Sequence, residues 1–455
     1  ENATAQPILR ELFRRRIPAA FFAQSQRIRE RRALMERLHK GHACVVVATH
    51  AGIFLPFPVL DRILVAEASL PSHRQWDLHP RYDARVAALL IAHARRIPVI
   101  LQSTLPSLDL ANIAGNPPAQ LGAESAAWEI IPRSRSDPLL SPGIFARMRG
   151  VLERGGSVFL FHDIVGTERV FSCETCGATL FCPACRGILE RRGAGLHCRS
   201  CGTSAGPVPA FCPKCRSPHF GPRRVGTAAL AQQLQHAFPR VAVHRMDRET
   251  LPKARRATSS PAPVFGIVIG SERAFADASA ASFDAVIVVE ADRLLEDGSF
   301  DASERFAVAV ARLRRLAKAL GTLHLQTAHP NLPVVRACAT PTYPWIAEEL
   351  NLRKTLGYPP FVAILRAQKT VRSPALGERA ARHLVSRVAS DGPGIKTGYR
   401  VLGAPPHVRA DVLIRGPLPA LQRALRSIGQ GWSSEPIVPL STLLKELQEA
   451  GSEGS

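Results

Sequence analysis

Four pairs of cysteines with the spacing CxxC lie close together in the chain, and they contain eight of its ten cysteines. Thiolates two residues apart can bind one side of a tetrahedral metal ion, and two such pairs complete an all-thiolate zinc site. Four pairs therefore predict two structural Zn²⁺ ions per chain, with no open position for a reacting water. The spacing leaves both sequential and interleaved pairing open. The predicted ligands are Cys173, Cys176, Cys182, Cys185, Cys198, Cys201, Cys212 and Cys215.

Disulfide bonds are the alternative use of these cysteines, but CxxC pairs are typical of metal ribbons rather than of secreted scaffolds. Cys44 and Cys338 remain, and since both lie in apolar runs we expect buried free thiols. There is no secretory signal and no apolar run long enough to span a membrane, so we expect a cytoplasmic, nucleoid-associated protein with no membrane partner. A first residue of Glu1 rather than Met predicts a fragment or a processed product.

The formal net charge is +22, and arginine dominates the basic residues. Such an excess attracts phosphate backbones, and most non-specific affinity for DNA or RNA comes from this attraction. A compositional bias toward Arg, Ala and Pro is the alternative explanation. An anionic membrane surface is a weaker one, because no basic amphipathic helix ends in an aromatic anchor. The charge therefore favours a nucleic-acid partner.

Two groups of residues are candidates for contact with DNA. In the first, aromatic and basic side chains alternate in a loop, a pattern that suits stacking on single strands. In the second, basic residues follow one another on a helix predicted over 304–320 and are expected to contact the DNA backbone. A Trp packed on the protein surface and a merely solvated helix face are the respective alternatives. The candidates are Arg74, Trp76 and Arg81 in the loop, and Arg312, Arg314, Arg315 and Lys318 on the helix.

Short β-branched runs alternate with Ala-, Leu- and Arg-rich helical stretches, which is the pattern of a parallel α/β sheet. Strands are predicted at 157–161, 264–269, 285–289 and 322–326, and a helix is predicted near 28–39. Two such α/β units in series are typical of nucleic-acid translocases, so we predict two RecA-like helicase lobes. The cysteine segment is predicted to be a double zinc-ribbon insertion in the second lobe, and a small α+β C-terminal domain follows. The predicted boundaries are 1–140 for the first lobe, 141–340 for the second, 171–222 for the zinc-binding insertion and 341–450 for the C-terminal domain.

The residues around the cysteine pairs resemble the primosomal protein N′ family of replication-restart proteins, and the likeness extends over nearly the whole chain. The resemblance implies that the first and fourth cysteine pairs hold one zinc ion and the second and third pairs the other, in an interleaved arrangement. The matching segments include Val225-Gly226-Thr227, Arg245-Met246-Asp247, Leu55-Pro56-Phe57, residues 80–85, Ala302-Ser303-Glu304-Arg305, Glu349-Leu350 with Arg353, and Tyr358-Pro359-Pro360-Phe361.

The motifs that bind nucleotide in such helicases are altered. The sequence contains no phosphate loop of the form G-x-x-x-x-G-K-[ST]. The family's metal-binding Asp of the second motif is Ala66, although Glu67 keeps the position of the carboxylate that activates water. The third motif has become Gln102-Ser103-Thr104-Leu105-Pro106-Ser107, and both arginines of the sixth motif are replaced, by Leu316 and Ala319. These losses, together with a fifth motif that lacks its basic and acidic residues, predict a degenerate ATP-binding site and no catalytic residues.

By this resemblance the chain is expected to be a DNA-binding primosome protein. It would recognise forked or branched DNA and single-strand/duplex junctions, and it would serve as an assembly platform for other primosome or replication-restart proteins without helicase activity. Two alternatives stay open at this point. One is an active ATP-dependent 3′-5′ DNA helicase with its phosphate loop upstream of residue 1. The other is a zinc-ribbon adaptor for RNA or a polymerase.

Overall fold

The structure, a computed structural model, contains several separate sheets that follow one another along the chain. It describes residues 2–42, 44–74, 82–115, 127–134, 137–162, 171–173, 178, 180–183, 189–192, 195–198, 203–218, 220–222, 226–246, 265–271, 282–295, 300–338, 345–390, 394–404 and 407–445. Among the helices of these ranges, none is both long and apolar enough to span a bilayer.

The first part of the chain contains two separate two-stranded parallel sheets, in which β1 pairs with β2 and β3 pairs with β4. Helices flank these sheets, and α3 packs its buried alanines and leucine against β3 and β4. The elements are α1 (Asn2–Arg14), β1 (Ala19–Phe22), α2 (Ile28–His39), β2 (Val45–Ala48), β3 (Ile63–Val65), α3 (Ala84–Arg95), β4 (Val99–Leu101) and α4 (Leu108–Ile113).

A six-stranded sheet forms the centre of the protein, and every neighbouring pair of its strands is parallel. Its strand order is β12-β13-β6-β14-β15-β5. The strands are β5 (Ala127–Pro132), β6 (Ser157–Phe161), β12 (Val243–Met246), β13 (Gly266–Gly270), β14 (Phe283–Val288) and β15 (Ala317–Thr327). The large parallel sheet with helices on its faces fits a RecA-like helicase fold.

Both faces of the six-stranded sheet are buried, which explains why its central strands are continuous apolar runs rather than alternating ones. One face packs against two helices, and Ser141 begins the first of them by accepting a hydrogen bond from the Ile144 N–H. The other face packs against three helices and against part of α4. The first two helices are α5 (Pro142–Glu153) and α6 (Thr227–Ala237), and the others are α7 (Ala302–Arg314), α8 (Pro333–Ala337) and α9 (Trp345–Leu356).

The helix predicted over 304–320 is wrong over its last six residues. Helix α7 ends at Arg314, and strand β15 begins at Ala317. Lys318 therefore lies on a strand, where its Nζ is 2.8 Å from both carboxylate oxygens of Asp284 on β14. Strand β15 begins at Ala317 because this residue pairs with Phe283 on β14. This pairing overrides the helix preference of the run Leu-Ala-Lys-Ala-Leu.

The cysteine-rich segment contains two small antiparallel sheets. Strand β7 pairs with β11, while β8, β9 and β10 form a three-stranded sheet with β9 at its centre. The strands are β7 (Phe171–Cys173), β8 (Leu189–Arg192), β9 (Gly195–Cys198), β10 (Ser204–Pro207) and β11 (Phe220–Pro222).

The last sheet is antiparallel with the order β17-β18-β16-β19, and two helices cover one of its faces. The elements are β16 (Ala363–Val371), α10 (Pro374–Ala389), β17 (Lys396–Ala404), β18 (His407–Gly416), α11 (Leu418–Ser427) and β19 (Ser433–Ile437). The chain then returns to the first part, where Leu440 is buried in the same apolar cluster as β3 and α3. The predicted domain boundaries remain predictions; β5, which lies inside the range predicted for the first lobe, pairs with the six-stranded sheet.

Candidate functional site

The loops after β3 and β4 lie side by side, because parallel strands place their carboxyl ends at one edge of a sheet. The Ala68 N–H donates to the backbone oxygen of Gln102 at 2.8 Å, and the Glu67 N–H donates to the Gln102 side-chain oxygen at 3.1 Å. Ser69 continues the contact through its hydroxyl, which lies 2.9 Å from that of Ser103. The second and third motif positions therefore form one hydrogen-bonded unit.

The Glu67 carboxylate is occupied by neighbouring donors from the third motif. Thr104 donates to it from its hydroxyl at 2.7 Å and from its backbone N–H at 3.3 Å. The Glu67 backbone has a φ of 50°, a left-handed conformation that is uncommon for residues other than glycine. At the adjacent position, where the family has its metal-binding Asp, Ala66 offers no side-chain ligand for Mg²⁺.

Arg315, which directly follows α7, reaches the same carboxylate from the other side. Its Nη1 lies 3.7 Å from Glu67 Oε1 and donates to the Thr104 hydroxyl at 3.0 Å. The three residues Glu67, Thr104 and Arg315, called here the remnant cluster, link the first part of the chain to the six-stranded sheet domain. Sequence reasoning placed Arg315 on DNA and did not predict this contact.

The other basic residues near the end of α7 lie in different environments. Arg314 is buried with 8% of its surface exposed, so it is not placed to meet a phosphate of the DNA backbone. Arg312 is half-buried on α7, and Lys318 is exposed but paired with Asp284. The four residues thus do not share one open face. Arg315 is the exposed arginine of the group, and its contacts are in the remnant cluster.

Arg85 stabilises the loop after β3, which carries the second motif, by a hydrogen bond to its backbone. Its guanidinium donates to the backbone oxygen of Ala68 at 2.8 Å and pairs with Asp83, which also caps the start of α3. Burial raises the pKa of Asp83, but hydrogen bonds and charge from Arg85 outweigh it and hold this pKa below its usual value. Both residues lie in the segment that resembles the family, and they act here as structural supports.

The predicted aromatic and basic loop is described only at its ends. Arg74 pairs with Asp83 at 3.5 Å, so part of its charge is already compensated. Tyr82 packs edge-on against Phe54, with ring centroids 5.0 Å apart. Trp76 and Arg81 lie outside the described residues, so their predicted contact with DNA stays a prediction.

Three of the predicted metal ligands come together at one point. Cys173, Cys212 and Cys215 have sulfur atoms within 4.8 Å of one another, and the Sγ atoms of Cys173 and Cys215 are 3.4 Å apart. Four sulfurs around Zn²⁺ at bond lengths of about 2.3 Å would be separated by roughly 3.8 Å, so this spacing fits a tetrahedral thiolate site. The cluster joins the first cysteine pair to the fourth and could hold a metal ion.

Three of the four cysteine pairs share the same backbone bond. The N–H of the first cysteine donates to the carbonyl oxygen five residues later in each case: Cys173 to Ala178, Cys198 to Thr203 and Cys212 to Ser217, at 2.8–2.9 Å. In the fourth pair this bond closes a tight turn, and the sulfurs of Cys212 and Cys215 lie in one cluster. Arg216, with a φ of 59°, continues the turn of the fourth pair.

The second and third pairs lie in a separate small core. Cys182 and Cys198 are buried in one cluster with Leu189 and Leu196. Cys176, Cys185 and Cys201 lie outside the described residues, so neither complete ligand set is visible. Of the two remaining cysteines, Cys338 is fully buried as expected, and burial raises the pKa of its thiol, whereas Cys44 is only partly buried.

A buried ion pair gives a structural role to segments that resemble the family but carry no catalytic residues. Arg353 on α9 lies 3.0 Å from Glu304 on α7 and 3.0 Å from Glu349 one turn earlier. Glu304 also accepts a hydrogen bond from the Leu108 N–H at the start of α4. Sequence reasoning quoted these residues but gave them no role. The signal available was that all three charged residues lie in segments that resemble the family.

Comparison with curated proteins gives one consistent group of relatives. Replication restart protein PriA of Haemophilus influenzae is 27% identical over 431 residues, which cover 88% of this chain and 58% of that protein. PriA of Treponema pallidum is 27% identical over 89% of this chain and 64% of its own length, and PriA of Thermotoga maritima is 27% identical over 86% and 55%. The chain thus spans little more than half of these relatives. No family model matches it.

Proposed function

Because the chain is a sequence relative of the PriA replication restart proteins over most of its length, we propose that it is a DNA-binding replication-restart protein that does not hydrolyse ATP. In this role it binds forked or branched DNA and junctions between single and double strands. It then acts as an assembly platform for other primosome proteins in the cytoplasm. The remnant cluster supports the proposed loss of ATPase chemistry, and the charge of the chain supports the DNA partner.

The remnant cluster is the observation that carries the proposal. Phosphoryl transfer needs a metal ion between the phosphates, a carboxylate that orients water and cations that stabilise the transferred group. Ala66 supplies no metal ligand, and the Glu67 carboxylate is bound by Thr104 and Arg315. A water oriented by Glu67 would share the carboxylate with the Thr104 donors and with the charge of Arg315. The arrangement supports a contact between the first part of the chain and the six-stranded sheet domain that lacks the metal ligand needed for phosphoryl transfer.

The DNA-binding part of the proposal is supported by a net charge of +22 in a chain of 455 residues. A basic surface neutralises phosphates and releases counterions, which gives affinity without sequence preference. Recognition of forks by shape and charge is compatible with such a surface, since phosphate contacts position a protein without specifying sequence.

Two zinc ions per chain complete the proposal, in the interleaved arrangement. Cys173, Cys212 and Cys215 already meet, and Cys176 would supply the fourth thiolate of the outer site. The inner site would use Cys182, Cys185, Cys198 and Cys201, of which Cys182 and Cys198 share one buried cluster. All-thiolate sites have no open position, so the metal would stabilise the small sheets around it and would not take part in a reaction.

The test is ATP hydrolysis by the full chain with forked DNA at saturation, measured as phosphate release. The proposal expects no rate above the background, and Glu67→Gln should leave this background unchanged. The matched control is Glu378→Gln, because Glu378 lies on the surface of α10, paired with Arg382. A DNA-stimulated rate that Glu67→Gln abolishes and Glu378→Gln preserves would restore the alternative of an active helicase. A rate that neither substitution changes would not depend on the Glu67 carboxylate.

A further inference from the structure

The C-terminal sheet has one face covered by α10 and α11 and a second face that is strongly basic. Alternation along the strands places even residues of β16 and β17 and odd residues of β18 on the second face. The charged residues of this face, with the neighbour from β19, are Arg366, Lys396, Arg400, Arg409, Asp411, Arg415 and Glu435. Five are basic and two acidic, so an excess of three positive charges remains.

Asp411 lies at the centre of this basic face and is 5% exposed. Its carboxylate is 2.9 Å from Arg409 Nε, 3.1 Å from Arg366 Nη2 and 3.4 Å from Arg400 Nε. The Gln368 amide donates to it at 3.0 Å. One carboxylate therefore holds three guanidinium groups, one from each of three adjacent strands, in a fixed arrangement.

A purely structural role would need fewer cations. Burying one carboxylate is compensated by a single well-placed guanidinium with additional hydrogen bonds, and Arg366 with Gln368 already supplies these. Arg400 keeps 64% of its side chain exposed while its Nε is near Asp411. Most of its guanidinium donors are thus directed to solvent from a position that Asp411 restrains.

The surface beside the three arginines is open and smooth. Gly398 lies between Lys396 and Arg400 on the same face, and a Cβ added there would meet no atom within 4 Å. Leu413, its partner on β18, is 37% exposed. At the far end, Arg415 is engaged elsewhere, since it donates to the Leu356 carbonyl and stacks on an aromatic ring. The accessible cations are therefore Arg366, Lys396, Arg400 and Arg409.

We propose that this face of the C-terminal sheet binds the phosphodiester backbone of DNA, with Arg400 and Lys396 as its principal phosphate contacts and Asp411 as the residue that positions the arginines. Charge-assisted bonds from a planar guanidinium to phosphate are strong and geometrically defined. The flat strip over Gly398 and Leu413 gives the sugars room to approach. The choice of DNA as the ligand rests on the proposed function, whereas the binding surface is identified from the register of the sheet.

The experiment measures binding of a fluorescent forked DNA to the full chain by anisotropy, across a range of salt concentrations. We expect Arg400→Ala and Lys396→Ala each to weaken binding by about 3- to 10-fold at low salt. Each should also reduce the slope of log Kd against log salt by about 1, since one phosphate contact is lost. Arg400→Lys should recover most of the affinity, because it restores the charge.

The control is Arg379→Ala. Arg379 is an exposed arginine of α10, on the opposite side of the same sheet, so its loss changes the net charge equally. It should change affinity less than twofold. Thermal unfolding of each variant checks the fold, and Lys396→Ala keeps the Asp411 cluster whole. Equal effects of Arg400→Ala and Arg379→Ala would overturn this inference while leaving DNA binding by the chain intact. Failure of the unaltered protein to bind DNA would overturn the proposed function as well.

Discussion

Arg353 and Glu304 form a buried ion pair that joins three parts of the chain. The Arg353 guanidinium is 3.0 Å from Glu304 and donates to the Pro359 carbonyl at 3.2 Å, while Glu304 accepts from the Leu108 N–H. The pair thereby connects α4 of the first part, α7 of the six-stranded sheet domain and α9 before the C-terminal sheet. Burial raises the pKa of Glu304, although Arg353 and the Leu108 N–H oppose this effect.

Arg353→Met should destabilise the protein strongly. Removing one partner leaves the carboxylates of Glu304 and Glu349 without their buried cation, and breaking a buried pair in this way costs about 3–5 kcal/mol. Urea unfolding followed by tryptophan fluorescence would measure the loss. The control is Arg305→Met, because Arg305 pairs with Asp301 at 3.5 Å and is 36% exposed; it should cost about 1 kcal/mol or less. Similar losses for both variants would contradict the role given to Arg353.

Cys212→Ser should remove one zinc ion per chain. Cys212 is buried in the cluster with Cys173 and Cys215, so its loss opens the outer site while the inner site keeps its ligands. Elemental analysis of the purified protein should give about two zinc ions for the unaltered chain and about one for the variant. Cys338→Ser is the control, since Cys338 is buried outside the cysteine segment, and it should keep both. Unchanged zinc content in Cys212→Ser would contradict the ligand assignment.

Four of the six strands of the central sheet, β6, β13, β14 and β15, could be predicted because their burial appears directly in the sequence. Ser157–Phe161 was expected and found with the same bounds, since a short run of apolar residues between turn signals has few other uses. Helix α2 was likewise predicted from Ile28 to His39. The end of α7 was not predicted. The predicted helix to Leu320 and the predicted strand from Thr322 left only Gly321 to connect them. One residue is too short a connection to reverse the chain between a helix and a strand.

The remnant cluster could not be predicted, because its members are far apart in sequence. Glu67 and Thr104 belong to neighbouring loops, but Arg315 comes from the other end of the central domain. Asp411 and its three arginines were missed for a different reason. Each arginine alone resembles a solvated strand residue, and only the register of β16, β17 and β18 brings them together. Pattern reasoning gives the face of a strand but not its neighbours.

Acid should weaken the protein partly through Asp411. Burial raises its pKa, but hydrogen bonds and charge from Arg366 and Arg409 outweigh burial and hold the pKa below its usual value. A carboxyl with a lowered folded-state pKa contributes stability above its unfolded pKa of about 3.9, and this stability is lost as pH falls through the folded value. Thermal melting between pH 5 and pH 2 should therefore fall more steeply in the unaltered chain than in Asp411→Asn. Parallel curves, as expected for the exposed control Asp61→Asn, would contradict this assignment.

Asp109 holds the helical segment at 440–445 against the first part of the chain. Its carboxylate accepts from the Leu440 N–H at 2.6 Å, from the Ser441 N–H at 3.1 Å and from the Ser441 hydroxyl at 2.7 Å. These are the free donors at the start of a helix, so Asp109 acts as a cap supplied from elsewhere in the chain. Leu440 is 1% exposed beneath this contact, which makes the docking depend on both polar and apolar contacts.

Asp109→Ala should release this segment without unfolding the central sheet. A lost cap costs about 1–2 kcal/mol, which is enough to raise the open population of this helical segment severalfold. Hydrogen exchange measured by mass spectrometry should become faster in peptides covering 440–445 and in those covering β3, whose cluster Leu440 completes. Peptides from β6 and β14 should be unchanged. Asp61→Ala is the control, because Asp61 is exposed and pairs only with its neighbour Arg62 among the described contacts. Exchange at 440–445 that stays as slow as in the control would show that apolar contacts of Leu440, Leu443 and Leu444 hold the segment without the cap.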